Sequence, residues 1–371
     1  MKRNYLLSDS IISPLGFGTQ ENIDAIHNNE SALEFHENLS YHKKGGYAGL
    51  ISESKINEHF SKIGDPGLYA KLEKLIILAI HQVLEKDPDF DLHHGGLIIS
   101  TTKGNIDLLG KDQFPKERLY LWKMAEVIAD FFGFRKKPVV VSNACISGAL
   151  AIKTVNDLIN AGRFSSAVVA GGDLVSDFVL SGFQSFQAIS EKPCRPFSKD
   201  RRGISLGEAA AAVLIGSDEN KEKAKILYMD ACTANDANHI SGPSRTGEGL
   251  YLSISRLLSA NKIEPEHIDY LSAHGTATEY NDEMEAIAFD RSGLIDVPVN
   301  SFKGYYGHTL GTSALIETIL TKHSLLQNEL FASANFSGTG VSRPLNIIEK
   351  HRSADLNIAL KTASGFGGCN L

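Results

Sequence analysis

The stretch Val139-Val140-Val141-Ser142-Asn143-Ala144-Cys145-Ile146-Ser147-Gly148-Ala149-Leu150-Ala151-Ile152 decides how the chain is read. A β-branched run, which favours a strand, gives way through a small polar turn to Ala149-Leu150-Ala151-Ile152, which fits a helix. Cys145 therefore sits where a strand ends and a helix begins. A helix start carries unpaired backbone N–H groups and the positive end of the macrodipole, so it favours thiolate over thiol and can hold an oxyanion formed at that sulfur. A buried cysteine is commonly an inert small hydrophobe, so the position suits a nucleophile without requiring one.

Outward from this stretch, short apolar strands alternate with longer helical patterns, the pattern of an α/β fold with buried sheets. Strands are expected at 96–101, 138–142, 166–171 and 210–216, then at 226–229, 268–273, 297–302 and 357–362. The charged break Ser217-Asp218-Glu219-Asn220-Lys221-Glu222-Lys223 divides the chain near residue 222, giving a half 1–222 that carries Cys145 and a half 223–371. The halves echo each other. Val139 to Asn160 runs strand, turn, helix, and so does Val297 to Gln327 through Thr312-Ser313-Ala314-Leu315-Ile316-Glu317. An internal duplication of this kind brings matching strand and helix ends to a common cleft.

With 371 residues and 42% hydrophobic content the chain can bury a large core, in one domain or two joined ones. A net charge of −7 argues against a general nucleic-acid binder. Cys145, Cys194, Cys232 and Cys369 show no metal-ligand spacing and are too few for a disulfide scaffold, which fits a reducing cytoplasm. Ser8, Asp9 and Ser10 interrupt the first apolar run too early for a signal peptide, and no stretch approaches membrane-spanning length.

Turns of the second half carry the remaining chemistry. His274-Gly275-Thr276-Ala277-Thr278 follows one expected strand, and Lys303-Gly304-Tyr305-Tyr306-Gly307-His308 follows the next. Two imidazoles thus sit at strand exits, where they can supply neutral N–H donors or bases for acyl chemistry at sulfur. Lys303 and Glu317 either brace the His308 loop or are surface charges. The turn Ser364-Gly365-Phe366-Gly367-Gly368 offers a backbone N–H for an oxyanion hole with that of Cys145.

In order, these segments resemble the β-ketoacyl-acyl-carrier-protein synthases, the elongating condensing enzymes of the thiolase superfamily with a Cys, His, His triad. The resemblance rests on Ala144 to Gly148, Arg195-Pro196-Phe197 with Gly207-Glu208, His274 to Thr278 with Asp282 and Glu285, Lys303 to His308 with Glu317, and Gly365 to Gly368 with Asn370. It implies a thiolase-like, duplicated α/β/α/β/α layered sandwich. It also implies a decarboxylative condensation of malonyl carrier protein with an acyl group held on Cys145. Cys145, His274, His308 and Lys303 would be catalytic, and the Cys145 and Phe366 amides would form the oxyanion hole, with Phe366 gating the sulfur. Glu317, Thr276, Thr278, Asp282 and Glu285 would support them.

The resemblance further implies that substrates arrive on the phosphopantetheine of an acyl carrier protein, with no bound cofactor and no metal. Lys62, Lys71, Lys74, Lys136 and Arg201 are candidates for docking that acidic carrier. A homodimer is expected, with a heterodimer as the variant, in fatty acid or in polyketide or aryl polyene type biosynthesis. Ser364, Ser198 and Arg202 depart from the family's pattern, and the segment 101–135 is short, which bears on the acyl pocket. A malonyl decarboxylase and a chain-length-shaping partner subunit are the alternative readings. A degradative thiolase and a cysteine hydrolase fit the motifs less well.

Overall fold

In the computed structural model, which describes residues 3–39, 45–217, 226–236 and 242–371, the strand Ala209–Ser217 is apolar almost throughout because it is covered on both faces. It lies inside a seven-stranded sheet ordered Ile226–Tyr228, Asn4–Ser13, Ala209–Ser217, Ser166–Asp173, Gly96–Ser100, Val139–Val141, with Gly16–Phe17 paired to Asn4–Ser13. Gly96–Ser100 runs parallel to both its neighbours, and the other pairings are antiparallel. The division expected near residue 222 lies outside the described residues.

The two-residue period of the strands sorts their side chains between faces. Val168, Ala170, Ala212 and Leu214 pack on the helix Lys71–Lys86 through Ile76, Ile80 and Val83. Ala167, Val169, Val213 and Ile215 face the other way, onto the helices Ser147–Asn160 and Ser313–Gln327, through Ile152, Val155, Leu315 and Ile319. A second sheet of three parallel strands, Val299–Asn300, Tyr270–Ser272 and Ala359–Lys361, lies against Ser313–Gln327. Its far side is covered by the helices Glu248–Asn261 and Glu279–Arg291, whose Leu250, Ile254, Met284 and Phe289 meet Leu271, Val299 and Leu360. Helix, sheet, helix, sheet and helix thus follow one another, which is the expected five-layer sandwich.

The two central helices touch at Gly148. A Cβ there would fall 2.6 Å from the Leu315 nitrogen and 3.0 Å from the Gly311 oxygen, so only glycine allows the approach. This contact brings the start of one helix beside the loop that precedes the other.

Two elements differ from expectation. The strand Ile226–Tyr228, expected with the second series, pairs with Asn4 to Leu6 and so extends the first sheet. The end of Asn4–Ser13 is marked in the sequence by Ile12-Ser13-Pro14-Leu15-Gly16, which resembles the family's first strand-to-loop turn, but Ser8-Asp9-Ser10 interrupts the apolar run and conceals its continuity. Asp9 is nevertheless buried: it accepts from Thr19 Oγ1 at 2.7 Å, lies 3.0 Å from His323 Nε2 and is ion-paired with Lys322, where the ladder register shifts. Among the described residues no helix is long and apolar enough to cross a membrane.

Candidate active site

Ala144 has φ +44°, the left-handed region that a residue with a Cβ seldom adopts. Ser147 holds this elbow, its Oγ donating to the Ala144 oxygen at 2.6 Å and accepting from the Asn143 nitrogen at 2.8 Å. The turn delivers Cys145 to the start of Ser147–Asn160, beside a cavity of about 580 Å³.

Burial pushes the Cys145 thiol up to about 12, against the opposing pull of the Lys303 charge and the Phe366 amide. The expectation that the helix start favours thiolate is therefore corrected. Loss of water around the sulfur outweighs the backbone donors, and the resting group is a neutral thiol.

His308 follows the short helix Lys303–Tyr306, and its Nε2 lies 3.1 Å from Cys145 Sγ. Its Nδ1 accepts the Leu310 backbone N–H at 3.0 Å, so in the neutral ring the proton is on Nε2 and points at sulfur. His274, at the exit of Tyr270–Ser272, receives the Lys303 ammonium at Nδ1 over 3.2 Å, which likewise leaves its proton on Nε2. The ring centroids are 5.3 Å apart at 81°. Burial first, and the Lys303 charge second, hold both imidazoles well below the usual histidine range, so they are neutral N–H donors near pH 7.

One donor atom from each of Cys145, His274 and His308 lies within 4.8 Å of the others. The spacing would admit a metal ion, but a metal takes an unprotonated nitrogen. Both Nδ1 atoms are occupied as acceptors, which leaves hydrogens on the Nε2 atoms, so the set presents donors and not a ligand shell.

Lys303 is buried; its Nζ donates to Glu317 Oε1 at 2.7 Å and also to the His274 carbonyl. Glu285 accepts the backbone N–H of His274 at 2.7 Å and of Gly275 at 2.6 Å. Asp282 accepts those of Thr276 at 2.9 Å, Ala277 at 3.1 Å and Phe197 at 2.7 Å. These two carboxylates fold the His274 loop into shape, while burial raises them to about 7 and about 6. Thr276 and Thr278 line the cavity with their hydroxyls 2.9 Å apart. Phe366 stands at its mouth, 37% exposed, with ring centroids 5.6 Å from Phe183 and 5.3 Å from Phe186.

The candidate docking residues do not form one set. Lys62 is exposed, whereas Lys71 is ion-paired with Glu208 at 2.6 Å. Lys136 donates to the carbonyls of His94 at 2.6 Å and Arg163 at 2.9 Å, and Arg201 to those of Ser198 at 3.0 Å and Gly340 at 2.5 Å. Lys74 is withdrawn as a correction. It is 3% exposed, with its ammonium on Asn57 at 2.6 Å and Glu53 at 3.4 Å, so it has no surface charge to offer a partner.

Two buried contacts around the site escaped the sequence reading. Asp173 is buried and accepts from the Gly311 nitrogen at 2.7 Å and from Thr101 Oγ1 at 2.9 Å, tying the turn after His308 to the first sheet. A strand ending Gly-Gly-Asp was its only signal. Lys361 lies 2.7 Å from Glu317 Oε2, a place that a lysine at a strand end does not announce.

The family described as Beta-ketoacyl synthase, N-terminal domain, matches residues 110–221, and its C-terminal domain matches residues 227–337. The chain is similar to a putative mitochondrial 3-oxoacyl-[acyl-carrier-protein] synthase of Schizosaccharomyces pombe, 26% identical over 421 residues that take in all of this chain and 98% of that protein. It is also similar to 3-oxoacyl-[acyl-carrier-protein] synthase 2 of Rhizobium meliloti, 30% identical over 62% of this chain and 58% of that protein. Among solved structures, the ketosynthase ApeO in complex with its chain length factor ApeC from Xenorhabdus doucetiae shares the fold, with a TM-score of 0.87 over 100% of this chain and 96% of that one at 23% identity.

Proposed function

The chain belongs to the beta-ketoacyl synthases, and on that premise we propose that it catalyses the decarboxylative condensation of a malonyl carrier protein with an acyl group carried on Cys145. The observation that carries the reading is the approach of the His308 Nε2–H to within 3.1 Å of Cys145 Sγ, with His274 beside it.

In the first half-reaction the Cys145 sulfur attacks the carbonyl carbon of an acyl thioester. The bond from that carbon to the carrier's sulfur breaks, and the thiol proton leaves with the departing sulfur. Because the thiol is neutral at rest, this proton must move as the new bond forms. The Phe366 backbone N–H reaches the Cys145 sulfur, and in this reading it and the Cys145 amide hold the tetrahedral oxyanion. In this reading the carrier's phosphopantetheine arm enters the cavity that Thr276 and Thr278 line.

In the second half-reaction the malonyl group loses carbon dioxide, and the electron pair of the broken C–C bond forms an enolate. His274 and His308 donate to its oxygen, since both are neutral and both direct N–H into the site. The enolate carbon attacks the acyl-Cys145 carbonyl, the sulfur leaves as thiolate and takes a proton from water, and a β-ketoacyl chain two carbons longer departs. Donors fixed before charge develops act mainly on the transition state, and removing one such donor commonly costs about 10²–10³ in rate.

A chain-length-shaping partner subunit is the second reading, and the complete Cys145, His274 and His308 set disfavours it. The edge strand Val139–Val141 offers a surface for a homodimer or for a heterodimer with such a partner. Incubation with a panel of acyl carrier proteins, read by intact mass, tests the function. The expected result is loading abolished in Cys145→Ala, with chain extension only when malonyl carrier protein is present. Loading that persists in Cys145→Ala refutes it.

A further inference from the structure

Glu317 is the counter-ion of two buried cations. Its Oε1 takes Lys303 at 2.7 Å and the Ser313 hydroxyl at 3.0 Å, and its Oε2 lies 2.7 Å from Lys361 Nζ. Lys361 ends the strand Ala359–Lys361, its side chain 9% exposed, and it also donates to the carbonyls of Thr362 at 2.5 Å, Ala273 at 3.2 Å and Ser272 at 3.3 Å. The last two residues lead directly into His274.

A single lysine already neutralises Glu317. A second ammonium in the same buried space loses its hydration without a second anion to offset it, and an apolar side chain would fill the space at less cost. Pairing therefore does not account for Lys361. Two lysines thus face one carboxylate behind the imidazoles, Lys303 touching His274 Nδ1 at 3.2 Å; burial lowers Lys361 from the usual lysine range, and the Glu317 charge opposes that shift.

We propose that Lys361 is a positioning residue for the condensation, converting the Lys303–Glu317 pair into a cation, anion, cation triad whose net positive charge faces the two imidazoles and the developing enolate. This rests on the condensing activity proposed above. The other ionisable groups around the rings are Asp282 and Glu285 from the helix Glu279–Arg291, Asp173 from the first sheet, and the Cys145 thiol. Burial raises all four, Glu285 to about 7 and Asp282, which lies 3.8 Å from Arg201, to about 6, so the negative charge around the rings is reduced and falls further as the pH drops. The field of the triad opposes protonation of either ring. Protonation would put hydrogen on an Nδ1 that now accepts from Lys303 or Leu310, and would break the contact that orients the ring. The same field lowers the energy of a negative oxygen at the two Nε2–H groups.

The test compares the full chain with Lys361→Met and Lys361→Arg, reading Cys145 acylation by intact mass and carbon dioxide release from malonyl carrier protein across about pH 5.5 to about pH 9. Lys361→Met is expected to lower kcat for carbon dioxide release about ten- to a hundredfold with KM changed less than about threefold. The acid limb of its profile moves to higher pH. Lys361→Arg, which keeps the charge, restores most of the rate and the wild-type profile. A Met variant with wild-type rate and profile overturns the proposal, as do Met and Arg variants that are equally impaired, which would mean that only packing matters. Should Lys361→Met fail to fold, Lys361→Gln takes its place, being neutral but able to bond the same carbonyls, and wild-type release in that variant is equally fatal. A wild-type protein that neither acylates Cys145 nor releases carbon dioxide overturns the condensing activity itself, a result separable from the others.

Discussion

Leu310 donates its backbone N–H to His308 Nδ1 at 3.0 Å, and this bond decides that the nitrogen facing Cys145 carries a hydrogen. A side chain does not supply the donor, so substitution cannot easily remove it. The tautomer is built into the turn.

If donation is the role of His308, a side chain that keeps an N–H should keep part of the activity. His308→Ala is expected to lower carbon dioxide release from malonyl carrier protein by about 10²–10³, and His308→Gln to recover at least about tenfold of that loss. A glutamine variant no faster than the alanine one would show that the ring acts otherwise, for instance as a base.

Burial holds the Cys145 thiol at about 12, so its ionised fraction rises with pH throughout the accessible range. Alkylation of Cys145 by iodoacetamide, followed by mass, should accelerate about tenfold per pH unit from about pH 7 to about pH 10. A rate that levels off near pH 8 would mean that the helix-start amides win after all.

The crossing of the central helices sets the sulfur-to-imidazole distance. Gly148→Ala places a methyl 2.6 Å from the Leu315 nitrogen, and the helices must part. The expected cost is about 1–3 kcal/mol in urea denaturation, with condensation slowed because Cys145 and His308 separate. Unchanged stability and rate would mean that the crossing yields freely.

Glu73 anchors the helix Lys71–Lys86 from inside. It is fully buried and accepts from Arg118 Nη2 at 2.8 Å, Asn105 Nδ2 at 2.8 Å and the Ala70 nitrogen at 2.9 Å. Glu73→Ala leaves the mostly buried Arg118 without its carboxylate, and chemical denaturation should show a loss of about 3–5 kcal/mol. A loss below about 1 kcal/mol would mark the pair as no stronger than a surface ion pair.

The parts of the site that were legible in the sequence are those where chemistry and local geometry coincide. Cys145 announces itself because a β-branched run, a turn and a helical run follow one another, His274 because it closes a strand, and His308 because it ends the glycine-containing loop after the next strand, although a short helix Lys303–Tyr306 intervenes. Asp173 and Lys361 were hidden because their partners, Gly311 and Glu317, are fixed by which layers pack together, and no short window records that. The continuity of Asn4–Ser13 was hidden for a related reason, although its end at Ile12 to Gly16 was legible. Its polar Asp9 looks like a break until Lys322 and His323 arrive from the far end of the chain to accompany it. The charge state of Cys145 was misread because its burial is a property of the assembled cleft.

The sulfur and the His308 ring that meets it are 163 residues apart in the chain. During synthesis the nucleophile's segment leaves the ribosome well before either imidazole, and it acquires chemistry only when the second sheet docks. A nascent or prematurely terminated polypeptide ending ahead of His274 carries the thiol with no means of using it. The reacting pair is therefore a property of the whole folded chain and not of either half.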